Sequence, residues 1–144
     1  MAVPTQFIRT TLTHLAPHIL AASPAGLNGL PFVSVAKGLE NGTLMRPTQI
    51  VCDVMRLAGA PTSPRVAALS GPNIAGELAK HMPATAVAAS ADEALVYTVQ
   101  NLFTTKYLRV YRNHDLLGVE LAGALKNVIA VAAGILDGIG AGNN

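Results

Sequence analysis

The chain has 144 residues, of which 51% are hydrophobic and 12% charged, with a net charge of +2. That balance supports a sizeable buried core and argues against disorder. The absence of any basic run and an aromatic content of only 4% argue against a nucleic-acid surface.

Met1-Ala2-Val3-Pro4 reads as the end of a strand and the turn after it. It has neither the basic n-region nor the long apolar h-region of a signal peptide. A helix is expected from Thr5 to about Ile19, with Phe7, Ile8, Leu12 and Leu15 on one face and Pro17 bending or ending it. Ser23–Pro31 is a turn-rich loop, and Phe32–Ala36 a short buried strand that ends at Lys37-Gly38. A second helix runs from Pro47 to about Ala58, started by Pro47 and stopped by Gly59 and Pro61. It carries Cys52, which has no neighbouring His or Lys to activate it and no second cysteine to pair with. A reducing, cytoplasmic setting and a small buried position fit that residue.

Val66–Leu69 is a strand, followed by the turn Ser70-Gly71-Pro72 and a short helix from Ile74 to about His81. Ala84–Ala89 is another strand. Ser90 and Glu93 form a capping box for a helix that ends near Phe103. Leu108–Tyr111 is the last strand, and Asn113 or Asp115 caps a long apolar helix. Strands and helices alternate through residue 111, which signals an α/β fold with a mainly parallel sheet. The chain then turns helical, which sets a domain boundary near Arg112–Asp115: residues 1–112 and residues 113–144. The glycines at 138, 140 and 142 follow a helix, and Asn143 stands where G-x-G-x-x-G needs its third glycine, so they read as a helix stop.

Lys126 stands out in the last helix. Its helical neighbours Ala122, Gly123, Ile129 and Ala130 cannot pair with it, and Glu120 points to another side. A lysine in such apolar company needs a partner from elsewhere, such as a bound anion, or else reaches water at a helix edge. Lys126-Asn127 splits the apolar stretch, leaving Val128–Leu136 too short for a membrane span. In open α/β sheets ligands bind at the carboxyl ends of strands, here Pro4-Thr5-Gln6, Ala36-Lys37-Gly38 and Leu69–Asn73. Gly71 permits close backbone approach, and the helix after it begins near a site for anions. His14, His18, His81 and His114 show no metal-ligand spacing and read as surface or capping residues, with no metal site expected.

Four blocks together resemble the NAD(P)-dependent glycerol-3-phosphate dehydrogenases: AVPTQFIR (2–9), SVAKGLE (34–40), SGPNIAGELA (70–79) and the stretch 110–144 with its Ala-Leu-Lys-Asn core. The resemblance covers the whole chain but only the middle of the family's proteins. It implies the second half of a Rossmann-like nucleotide-binding α/β domain, followed by the first long helix of an all-α substrate domain. The family's glycine-rich phosphate turn and most of its helical domain fall outside these residues.

The resemblance also implies roles. Lys126 matches the catalytic lysine, and Lys37, Gly71, Asn73, Lys126 and Asn127 match substrate-binding positions. Lys37, Ala75 and Phe7 match positions beside the cofactor, NAD or NADP. The implied reaction is hydride transfer between that cofactor and sn-glycerol 3-phosphate or dihydroxyacetone phosphate, with Lys126 moving the proton at the substrate oxygen. A small phosphorylated substrate and a homodimer are the implied partners. Two other readings compete: a non-catalytic piece that serves only structure or association, and a hydroxyacid or ketopantoate reductase type. The pairing of Ser70–Asn73 with Lys126-Asn127 argues against the latter. A polypeptide of these 144 residues alone is expected to be inactive.

Overall fold

The computed structural model describes residues 1–23 and 30–142. Most of the loop expected before the first strand, and the chain's last two residues, lie outside them. The elements in chain order are α1 (Thr5–Ala22), β1 (Pro31–Ser34), α2 (Pro47–Leu57), β2 (Arg65–Ser70), α3 (Ala75–Ala79), β3 (Ala84–Ala89), α4 (Glu93–Phe103), β4 (Leu108–Asn113) and α5 (Leu116–Gly138).

The four strands form one sheet in the order β1-β2-β3-β4. β1 pairs parallel with β2, and β3 parallel with β4, but β2 and β3 run antiparallel, with Ala68 opposite Ala89. The sheet is therefore mixed, and alternation of elements alone did not reveal the reversal at β3. Met1 donates to the Val33 carbonyl at 2.6 Å and accepts from the Val35 amide at 3.1 Å, as a parallel neighbour of β1 would.

Side chains alternate across a strand, so each strand feeds two cores. Phe32 and Val66 join Ile8, Leu12, Ile50 and Met55 beneath α1 and α2. Their sequence neighbours Val33 and Ala67 face the other way, joining Ala86, Ala88, Leu95, Val96, Val99 and Val110 beneath α4. α5 packs on β2 and β3 and shares the α2 face, forming a three-layer α/β/α arrangement.

Three local expectations are corrected. α1 runs through Pro17 to Ala22, because the proline lies on the exposed side while Ile8, Leu12 and Ala16 keep the buried face continuous. Ser90 does not cap α4: its hydroxyl donates to the Val66 carbonyl at 2.7 Å, and Asp92 is the N-cap, accepting from the Leu95 amide at 3.0 Å. The apolar stretch of the long helix is not cut short at Lys126-Asn127. The helix runs 23 residues and is long and apolar enough, by length and composition, to cross a membrane. Its carboxylate Glu120 is buried against the α/β body, the position of a helix docked on protein.

The expected stops hold. Gly59 and Gly140 close α2 and α5 in the left-handed region, with φ of +86° and +67°. His81 takes the same position after α3 at φ +58°, and its ring stacks on Tyr107 with centroids 4.7 Å apart. All four histidines are exposed, and no cluster able to hold a metal ion exists among the described residues.

Candidate active site

Parallel pairing of β1 and β2 brings their carboxyl ends to one edge of the sheet. Lys37 follows β1 and Gly71 follows β2, and the Lys37 ammonium donates to the Gly71 carbonyl at 2.7 Å. Thr5, opening α1, donates its hydroxyl to the Lys37 carbonyl at 2.9 Å, so the lysine backbone is held as well as its tip. Because β3 is antiparallel to β2, its first half lies beside Gly71. A Cβ on Gly71 would come within 2.6 Å of the Thr85 carbonyl oxygen and 3.0 Å of the Ala86 Cα. The glycine is thus required by the neighbouring strand; its close approach is to protein backbone. Asn73 is tied to the same strand, donating to the Thr85 carbonyl at 2.8 Å.

α5 begins at Asp115, whose carboxylate accepts from the Gly118 amide at 2.7 Å and caps the helix. From there it runs back over the sheet towards the carboxyl ends of β1 and β2. Gly123 lets it settle: a Cβ there would lie 3.0 Å from the Ser70 hydroxyl and 3.6 Å from Lys37 Cγ. One turn before, Glu120 is buried and accepts three bonds. The Thr48 amide donates at 2.9 Å, the Thr48 hydroxyl at 2.7 Å and the Arg46 guanidinium at 2.5 Å. Thr48 lies in the first turn of α2, where backbone amides have no partner within the helix. Glu120 therefore caps α2 from 72 residues away.

This packing leaves a cavity of about 240 Å³ beside Lys37, Ser70, Gly71, Gly123 and Lys126. Among the described residues, two lysines and no carboxylate line it. A second cavity, of about 390 Å³, shares Lys37, Ser70 and Gly71 and adds Asn73, Ala75, Leu78 and Phe103. A larger one, about 630 Å³, opens between α3 and the β3–β4 end and includes Asn73 but neither lysine.

Lys37, Gly71 and Lys126, far apart in sequence, thus meet at one cavity, and Asn73 and Ala75 line the adjoining one. Phe7 is 60% exposed on α1, and Asn127 is exposed on α5; neither lines either cavity. The apolar company of Lys126 on its own helix does not bury it. Its side chain is exposed, as is every described residue from Leu125 onward, because nothing described packs on α5 beyond Ala124. Glu120 is the site residue that sequence reasoning passed over. A carboxylate inside an apolar helix was a usable signal for Glu120; its partners, on another element, were not readable.

The remaining charges serve the scaffold. Arg9 bonds Glu40 at 2.9 Å and Asp53 at 2.7 Å, and Arg56 bonds Asp53 at 2.9 Å. The Arg9 guanidinium holds both carboxyls below their ordinary range, with Thr43 aiding Glu40 and Arg56 aiding Asp53. Burial pushes the half-buried Cys52 thiol up, and the Glu120 charge adds to that, which keeps it a poor nucleophile.

Known proteins share both sequence and fold. Residues 1–96 match the family described as NAD-dependent glycerol-3-phosphate dehydrogenase N-terminus, and residues 115–144 match its C-terminus. A glycerol-3-phosphate dehydrogenase [NAD(P)+] of Geobacter metallireducens is 48% identical over 98% of this chain, which spans 39% of that protein. The chloroplastic glycerol-3-phosphate dehydrogenase [NAD(+)] 2 of Arabidopsis thaliana is 46% identical over 99% of the chain and 31% of its own length. The crystal structure of the Coxiella burnetii enzyme superposes with a TM-score of 0.78 at 28% identity, over 99% of this chain and 40% of that one. The chain thus spans well under half the length of these relatives. The mixed sheet with helices on both faces and one long following helix corresponds to a partial Rossmann domain joined to a helix. By both family matches, this chain belongs to the NAD-dependent glycerol-3-phosphate dehydrogenase family.

Proposed function

We propose that these residues form the substrate-facing part of an oxidoreductase that interconverts sn-glycerol 3-phosphate and dihydroxyacetone phosphate with NAD or NADP. The observation that carries this is the small cavity where Lys37 and Lys126 meet at the carboxyl ends of β1 and β2, with no carboxylate among the described residues that line it. Two cations beside Val87, Val119 and Ala122 favour a small anion, and apolar walls strengthen that attraction. Lys37, fixed by its bond to Gly71, orients the substrate. Lys126, less constrained, passes a proton from Nζ to the oxygen on the substrate's C2, or takes it in reverse.

The adjoining cavity suits the flat ring of a nicotinamide. Ala75 is small enough to let a ring approach, while Leu78 and Phe103 give apolar surface and Lys37 stands at the shared wall. When bound, the nicotinamide supplies or accepts the hydride. Phe7 would pack on the cofactor from α1, and Asn73 and Asn127 would reach the substrate on its binding. In this reading residues 1–112 belong to the nucleotide-binding domain and residues 113–144 open the substrate domain. The two family matches support the division, since they leave residues 97–114 between them. The single cysteine, Cys52, suits a reducing, cytoplasmic setting.

Lys126→Ala in the native polypeptide that carries this segment tests the assignment. Turnover of dihydroxyacetone phosphate should fall roughly 10²–10⁴-fold with the melting temperature unchanged. Near-normal turnover would remove Lys126 from the chemistry.

A further inference from the structure

We propose that Glu120 is a positioning residue: its bonds to Arg46 and Thr48 set the height and roll of α5, and so place the Lys126 ammonium over the cavity that Lys37 shares. The inference rests on the catalytic reading of Lys126.

Glu120 is the one buried residue of α5 among those described. A buried carboxylate is tolerated only where its lone pairs are met. Here one oxygen takes the Thr48 amide, and the other takes the Thr48 hydroxyl and Arg46. Because one donor is a main-chain amide in the first turn of α2, the reference point is backbone rather than a swinging side chain.

Glu120, Gly123 and Lys126 lie at successive intervals of three, one row along the helix. The first is bonded to α2, the second rests on Ser70 and Lys37, and the third reaches the cavity. Among the described residues of α5, those beyond Ala124 are exposed, so the polar attachment that the structure shows lies ahead of Lys126. Apolar contact of α5 with β2 and β3 resists separation but has little direction, whereas three hydrogen bonds to one carboxylate fix a single register.

A double-mutant cycle in the native polypeptide, with NADH and dihydroxyacetone phosphate, tests this. Glu120→Gln keeps an oxygen for the Thr48 amide and removes the charge facing Arg46. We expect kcat to fall on the order of 10²-fold while KM for NADH stays within about 2-fold, since an error of an ångström at a reacting group has that cost. In a Lys126→Ala background the same substitution should change turnover less than about 3-fold, because nothing remains to be positioned. An undiminished loss in that background, or a kcat within about 2-fold of the parent in the folded single variant, overturns the proposal. Lys126→Ala alone separates the two failures: near-normal turnover removes the catalytic reading itself, and a deep loss with additive Glu120→Gln removes only the positioning role. Should Glu120→Gln not fold, Thr48→Val deletes one of the three bonds at nearly constant volume. Its smaller loss of kcat should likewise vanish in the Lys126→Ala background, and persistence there overturns the proposal.

Discussion

The two halves of α5 have nearly the same composition and opposite surroundings. Leu116–Ala124 is docked through an Asp115 cap, the buried Glu120 and a glycine at the sheet. Leu125–Gly138 is as apolar, yet Val128, Ile129, Val131 and Ile135 are each about 60% exposed or more to within a percentage point. Hydrophobicity alone therefore does not say where a helix is held. What distinguishes the docked half is that its charged residue has buried partners and one of its glycines meets the sheet, features an apolar scan does not register.

That contrast can be broken or sharpened by experiment. Acid should have the largest effect, and on the α/β body rather than on the far half of α5. Glu40 and Asp53 titrate below their ordinary values when folded, so the folded state binds fewer protons than the unfolded one. Their contribution is present above about pH 4 and is lost as the pH falls through the folded values. The melting temperature should drop between pH 6 and pH 3, and Arg9→Met should flatten that dependence. A pH-independent melt would show that the ion network adds nothing. Next, Gly123→Val should cost about 1–3 kcal/mol in urea denaturation, since its Cβ already meets Ser70 at 3.0 Å and the added methyls have nowhere to go. No loss of stability would mean that the near half is not seated as described. Smallest, Gly134→Ala should stabilise by about 0.4–1 kcal/mol, because a Cβ there meets nothing within 4 Å and the alanine only stiffens the unfolded chain. A destabilisation would place something against the far half in solution.

Much of this was legible in the chain. Periodicity located every strand to within two residues at either end, because turn residues bracket each apolar run. The convergence of Lys37 and Gly71 followed from both standing just after strands, since parallel neighbours present their carboxyl ends together. What escaped was nonlocal. Ser90 looked like a cap because its hydroxyl precedes a helix, but the Val66 carbonyl, 24 residues away, takes that hydroxyl. Glu120 looked like a stray charge because its partners are 72 and 74 residues distant. The sequence leaves Lys126 between a bound partner and water at a helix edge, because exposure depends on what packs against the helix and not on the helix's own composition.

The capping of α2 by Glu120 also makes α5 a lever with its fulcrum at that carboxylate. At 1.5 Å per residue, Lys126 lies about 9 Å beyond the fulcrum and Gly138 about 27 Å. A tilt of about 5° would then shift the Lys126 backbone by under about 1 Å but sweep the far end through about 2 Å. The amine stands close to the pivot and keeps its place, while the exposed arm magnifies small rotations for whatever rests on it.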